Sequence, residues 1–200
     1  MNDDNLIASH CKTLLHRVRQ CTECAEHLPF PPRPILQASS RSRILIAAQA
    51  PGKLAHDSGL AFNDPSGDRL RRWLGVDSTT FYNSNNFALL PMGFCFPGAG
   101  KSGDLAPRPE CAPLWRQPLL DHLSHIRLTL VIGQYAQAWH LPNSGKSVTE
   151  RVQQWHVLWP DILPLPHPSG RNNRWLKRNP WFEQEVVPML QERIKTLLSV

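Results

Sequence analysis

The chain has 200 residues, with 22 Lys and Arg against 16 Asp and Glu, a formal charge of +6. Its length suits one domain with a buried core, and 41% hydrophobic with only 19% charged residues excludes a disordered or coiled-coil protein. No apolar run approaches the roughly 18 residues of a membrane span, and the polar start Met1-Asn2-Asp3-Asp4-Asn5 is unlike a secretory signal, so a cytoplasmic protein without a membrane partner is expected.

In chain order, Leu6 to Gln20 carries helical spacing through Leu6, Ile7, Leu14, Leu15 and Val18. Cys21-Thr22-Glu23-Cys24 follows, then a proline-dense stretch from Leu28 to Pro34. Residues 43–48 form a short apolar run that ends in the turn Pro51-Gly52, as a buried strand entering a loop would. Phe87 to Leu90, Leu128 to Ile132 and Ile162 to Leu165 are three further runs of this kind. Helical patterns lie between them: Asp68 to Leu74, stopped by Gly75, Pro118 to Ile126, Ser147 to about Trp155 behind a Ser147/Glu150 capping box, and Asn179-Pro180 to about Leu198. Strands alternating with helices predict a three-layer α/β/α fold around a central, mostly parallel four-stranded sheet. No repeat or linker divides the chain, so residues 1–200 read as one domain, with the helix and Cys-x2-Cys segment of residues 1–40 packed onto it. Such a fold places its site in loops beyond the strand C-termini.

Nineteen prolines imply stiff, specifically shaped loops, and five cysteines in a cytoplasmic chain read better as ligands or core residues than as disulfides. Cys21, Cys24, Cys95 and Cys111 make a four-thiolate set suited to an iron–sulfur cluster or a structural zinc ion, and Cys11 has no partner in the pattern. Gly98-Ala99-Gly100-Lys101-Ser102 resembles the end of a phosphate-binding P-loop, but the earlier glycine is replaced by Cys95 and no helix pattern follows. The two informative loops follow the first and fourth apolar runs. One reads Ala48-Gln49-Ala50-Pro51-Gly52 and continues through His56-Asp57-Ser58-Gly59-Leu60-Ala61-Phe62; the other reads His167-Pro168-Ser169-Gly170-Arg171-Asn172. Together, at neighbouring strand ends, they would bring a carboxylate, an imidazole and an aromatic ring to one cleft.

These loops resemble the uracil-DNA glycosylase superfamily. Ala-Gln-Ala-Pro-Gly is similar to its first motif, written Gly-Glu-Ala-Pro-Gly in the iron–sulfur family-four branch. Ser58 to Phe62 with Ser66 to Leu70 resembles the continuation of that motif, and His167-Pro168-Ser169 resembles the second. The branch and a related bacterial uracil-DNA glycosylase-like group are most similar, from about Val18 to the C-terminus. The resemblance implies a DNA glycosylase that hydrolyses the N-glycosidic bond of a flipped-out base in base excision repair, acting on DNA as a monomer. It tilts the four cysteines towards a [4Fe–4S] cluster, with a structural role. It gives His167 the hydrogen bond to the base oxygen and Phe62 a stack on the extruded ring. Ala50, Pro51 and Gly52 would also contact the base. Ser169, Gly170, Arg171, Asn172, Lys101 and Lys177 would hold the DNA.

Two departures bear on mechanism. The family-four glutamate is replaced by Gln49, and the aspartate of another branch by Ala50, so Asp57 inherits the water-positioning role with Asp64 as its substitute. The asparagine expected four residues before the third cluster cysteine is Pro91, which leaves backbone groups of Met92 or Gly93 to read the base. Both departures fit a glycosylase for a deaminated or hypermodified base other than uracil, or a catalytically silent DNA-binding member.

Overall fold

In the computed structural model of the chain, residues 3–101, 103–145 and 147–199 are described. Ser102, at the end of the P-loop-like string, lies outside them, as do Met1 and Asn2. In chain order the elements are α1 (Asp3–Arg19), β1 (Ile44–Ala47), α2 (Lys53–Ser58), α3 (Pro65–Leu74), α4 (Ser78–Phe81) and β2 (Phe87–Leu89). A hairpin of β3 (Ala99–Gly100) and β4 (Gly103–Asp104) follows, then α5 (Cys111–Leu120), β5 (Leu128–Ile132), α6 (Gly133–His140) and α7 (Val148–Gln153). The chain closes with β6 (Ile162–Leu165), α8 (Asn173–Arg178), a π-helical turn over Phe182–Val186 and α9 (Val187–Leu198).

The four apolar runs are the four strands of one sheet, in the order β2-β1-β5-β6, and every pairing is parallel. Ile44 is in register with Phe87 on one side and Leu128 on the other. Successive side chains of a strand point to opposite faces, and the sequence fills both. Ile44 and Ile46 of β1 join Leu128, Leu130 and Ile132 of β5 in a core covered by α3, α7 and α9 through Leu70, Val152 and Leu190. Leu45 joins the opposite core with Leu14, Leu15 and Val18 of α1 and Leu119 of α5. Helices on both faces of a fully buried parallel sheet give the expected three layers.

Several boundaries differ from the expected ones. The helix expected from Pro118 begins at Cys111 instead. Pro113 stands in its first turn, where a missing N–H costs nothing, and Pro118 lies inside the helix. The capping box forms as expected: Glu150 N–H donates to Ser147 Oγ and Ser147 N–H to Glu150 Oε2, both at 3.2 Å. The two motif loops leave β1 and β6, which are not neighbours, because β5 runs between them. Gly133, just past β5, lies beside His167 of the second loop. Its φ of +76° is a conformation that L side chains rarely adopt, and a Cβ there would lie 3.7 Å from His167 Cβ.

Candidate active site

The strand ends open onto a cleft of about 370 Å³ lined by both motif loops and by the β3–β4 hairpin. Its floor comes from the β1 loop, whose residues Gln49, Ala50, Pro51 and Gly52 all line it, together with Pro91 after β2. The Gln49 carbonyl accepts from Gly93 N–H at 3.0 Å, and its side-chain amide donates to Leu105 O at 3.1 Å, tying loop and hairpin together.

The next wall is the turn from Ala61 to Ser66. Phe62 sits there half-buried with φ +57°, an uncommon backbone for a residue with a side chain. Gly67 leaves room for it, since a Cβ at that position would collide with the Phe62 carbonyl. That carbonyl also accepts from Arg71 Nη1 at 3.2 Å, and Arg71 is braced by Asp68 at 2.7 Å. Asp64 caps α3 through a 2.7 Å bond from Gly67 N–H to Oδ1 and lines the cleft.

The opposite wall is His167 with Ser169, Arg171 and Asn172. Ser169 N–H donates to His167 Nδ1 at 3.2 Å, and Asn172 Nδ2 donates to the His167 carbonyl at 2.7 Å. An Nδ1 that accepts leaves the ring proton on Nε2, which makes no hydrogen bond among the described residues. Burial lowers the pKa of His167, with the nearby Arg171 acting in the same direction and Asp64 opposing, so the ring is neutral at pH 7. Arg69 on α3 holds the loop from behind, donating to Ser169 O at 3.1 Å and to Asn173 Oδ1 at 2.8 Å. Only tertiary structure reveals this brace, because its partners are a hundred residues away.

Other expected residues fall elsewhere. Asp57 does not line the cleft; it is half-exposed on α2 and paired with Lys53 at 2.6 Å, one helical turn back. The cleft carboxylates are Asp64 and Asp104, and the latter went unnoticed in the sequence because its hairpin lies inside an irregular Pro/Gly loop. Met92 and Gly93 do not line the cleft either. Met92 is buried with Ala47 and Val131, and the two amides donate to Ala48 O and Gln49 O at 2.8 and 3.0 Å, so neither N–H is available to a base. Lys101, Gly170 and Lys177 are exposed around the cleft loops and line no part of it.

A second, smaller cavity lies on the far side of Gly93, between the N-terminal segment and α5. Cys21, Cys24, Cys95 and Cys111 all line it, among Leu28, Pro32, Pro34, Phe94 and Trp115. These four could hold a cluster or an ion. Trp115 Nε1 donates to Cys21 Sγ at 3.3 Å and Phe94 N–H to Cys111 Sγ at 3.4 Å, contacts that favour sulfur in its thiolate form. Without a metal, burial pushes the thiols up, Cys95 to about 11 and Cys111 to about 12. Among the described residues no three His, Cys, Asp or Glu side chains are gathered around a point that would hold a single ion. Cys11 is buried against the sheet and does not line this cavity.

Residues 36–191 match the Uracil DNA glycosylase superfamily. The chain belongs to that superfamily. Among solved structures it is similar to the solution NMR structure of a candidate uracil DNA glycosylase from Methanosarcina acetivorans, at 15% identity and a TM-score of 0.47, over 80% of this chain and 98% of that one. In this member of the Uracil DNA glycosylase superfamily, the first loop brings no carboxylate to the cleft. Gln49 and Ala50 stand in the cleft wall without a carboxylate, and Pro91 presents a ring with no side-chain donor. The Pro91 carbonyl is turned away from the cleft chemistry by Arg116, which donates to it at 3.3 Å and to Leu90 O at 2.9 Å.

Proposed function

We propose that the protein is a DNA glycosylase that hydrolyses the N-glycosidic bond of a base rotated out of the helix. The observation that carries this reading is the neutral His167 in a cleft of about 370 Å³, its Nε2–H unengaged and its ring locked by Ser169. As the C1′–N bond breaks, negative charge grows on the base and positive character on the sugar. A fixed donor to the base oxygen stabilises the first; cleft carboxylates stabilise the second. Phe62 stacks on the extruded ring. Ser169, the Gly170 backbone and Arg171 hold the phosphates, with Lys101 and Lys177 on the flanks. Asn172, tied to the His167 carbonyl, stays with the loop as it meets the strand.

The wall at Pro91 favours a second reading of the substrate. No amide side chain stands at this position to read the uracil edge, which supports a deaminated or hypermodified base other than uracil.

Cys21, Cys24, Cys95 and Cys111 are proposed to hold a [4Fe–4S] cluster. That all four cysteines line one cavity, with Trp115 Nε1 and Phe94 N–H donating to two of the sulfurs, supports this reading. When bound, the cluster supplies four metal–thiolate bonds that staple the Cys21–Cys24 turn to the segment carrying the β3–β4 hairpin.

The reading is tested by incubating anaerobically purified protein with oligonucleotides containing uracil, hypoxanthine, xanthine or hydroxymethylated cytosine, followed by alkali. Strand scission at one or more of these bases is expected. Binding to all of them without scission would identify a silent DNA-binding member instead.

A further inference from the structure

The first loop of the cleft carries no carboxylate, so the group that handles the attacking water must reach it from another element. Among the described residues two carboxylates line the cleft, Asp64 and Asp104. Asp64 is committed, since its Oδ1 caps α3 through Gly67 N–H at 2.7 Å. Asp104 makes no hydrogen bond or ion pair among the described residues, which leaves both oxygens open to the cleft.

Its position is nonetheless fixed. Asp104 ends β4, in register with Ala99 across the hairpin. The next residue anchors the hairpin twice, Leu105 N–H donating to Gly98 O at 2.8 Å and Leu105 O accepting from Gln49 Nε2 at 3.1 Å. The carboxylate therefore rests on the first motif loop: a Cβ added at Gly52 would come within 3.1 Å of Asp104 Oδ2. Gly52 has φ −80°, which any residue adopts, so space for this carboxylate is what a side chain there would take away. On the other side, Arg171 packs against Gly103 so closely that a Cβ at 103, where φ is +134°, would overlap its guanidinium.

The geometry points to Asp104 as the catalytic base, the carboxylate that holds the attacking water over the Gln49–Gly52 loop and takes its proton. This rests on the glycosylase reading above. In the step, a water oxygen bonds to C1′ as the C1′–N bond breaks. One water proton passes to Asp104, and the base departs with the bonding electron pair, stabilised by His167 Nε2–H. The base then takes up a proton from solvent and Asp104 returns its own to solvent, so the net change is addition of water across the bond. The electrostatics suit the role. Partial burial raises the Asp104 pKa, Arg171 pulls it back, and Asp64 raises it again, which makes the carboxylate a stronger base than a free aspartate.

The test is single-turnover base release, with enzyme in excess over whichever oligonucleotide the wild type processes. Asp104→Asn is expected to slow release by about 10²-fold or more, with the DNA dissociation constant within about threefold of wild type, because only an acceptor for the water proton is lost. The acid limb of the rate–pH profile is expected to disappear with it, and added formate to restore part of the rate of Asp104→Ala. Gly52→Ala is expected to lower the rate by displacing the carboxylate. Undiminished release by Asp104→Asn, or loss of release in Asp57→Asn instead, overturns the assignment while leaving the glycosylase reading intact. A wild type that releases no base overturns both.

Discussion

The backbone N–H of Ser169 donates to Nδ1 of His167 across 3.2 Å, and this bond selects the tautomer that carries its proton on Nε2. The motif loop thereby turns a side chain that either donates or accepts into a fixed donor. Replacing it separates binding from chemistry. His167→Asn and His167→Ala are expected to slow base release by about 10²- to 10³-fold, with DNA affinity little changed. His167→Gln, whose amide nitrogen falls near the Nε2 position, is expected to recover part of the rate. Rates equal to wild type in all three variants, measured in single turnover, would remove His167 from the reaction.

Arg116 lies behind the Pro91 wall of the cleft. It is almost fully buried, donates to Leu90 O and Pro91 O, and donates through Nε to His140 Nε2 at 2.9 Å. Arg116→Met removes the donors to the carbonyls that shape the Pro91 wall. A loss of roughly 2–4 kcal/mol in unfolding free energy is expected, read from urea midpoints. A midpoint equal to wild type would show that these bonds contribute nothing net.

Two partly buried histidines, His140 and His167, make stability fall on the acid side. Burial depresses both: His140 drops to about 3, helped by the facing Arg116 charge, and His167 is lowered with Arg171 assisting and Asp64 opposing. Below about pH 6.5 the unfolded chain takes up protons at these positions and the folded chain does not. Stability present above that pH is therefore lost progressively as pH falls towards the folded-state values. The urea midpoint is expected to drop between pH 7 and pH 5, and to drop less in His140→Gln, whose side-chain oxygen still accepts from Arg116. A midpoint independent of pH over this range would contradict the assignment.

Much of the architecture was legible because its physics is local. Strands buried on both faces have to be continuous apolar runs, so Ile44–Ala47, Leu128–Ile132 and Ile162–Leu165 stood out, as did the Ser147/Glu150 cap. The His167 loop and the Gln49–Gly52 loop were legible as motifs, although the passage of β5 between the strands they leave was not. Asp57 illustrates the limit. Once Lys53–Ser58 is a helix, Lys53 and Asp57 lie one turn apart and pair, yet six residues between two glycines read as loop. Asp104 was hidden for the opposite reason: a two-residue strand has no periodicity, and only the folded hairpin sets it over Gly52. Arg69 and Arg116 act on partners distant in sequence, which no spacing rule reaches.

The cysteine cavity makes its own prediction. Anaerobic protein is expected to be brown, with iron and acid-labile sulfide in equal amounts. Serine at Cys95 or Cys111 is expected to abolish the colour and lower the melting temperature, because the staple between the N-terminal segment and α5 is cut. Colourless protein with stoichiometric zinc would replace the cluster with a single ion.

The central claim is that this cleft hydrolyses a glycosidic bond. Its most direct test is mass spectrometry of the reaction products formed in ¹⁸O-labelled water from whichever base-modified oligonucleotide yields alkali-sensitive sites. Free base and abasic strand are expected in equal amounts, with one labelled oxygen on the abasic sugar, and both are expected to form about 10²- to 10³-fold more slowly with His167→Ala. Intact oligonucleotide recovered from a wild-type complex that binds it tightly, across the whole set of bases, would contradict the claim.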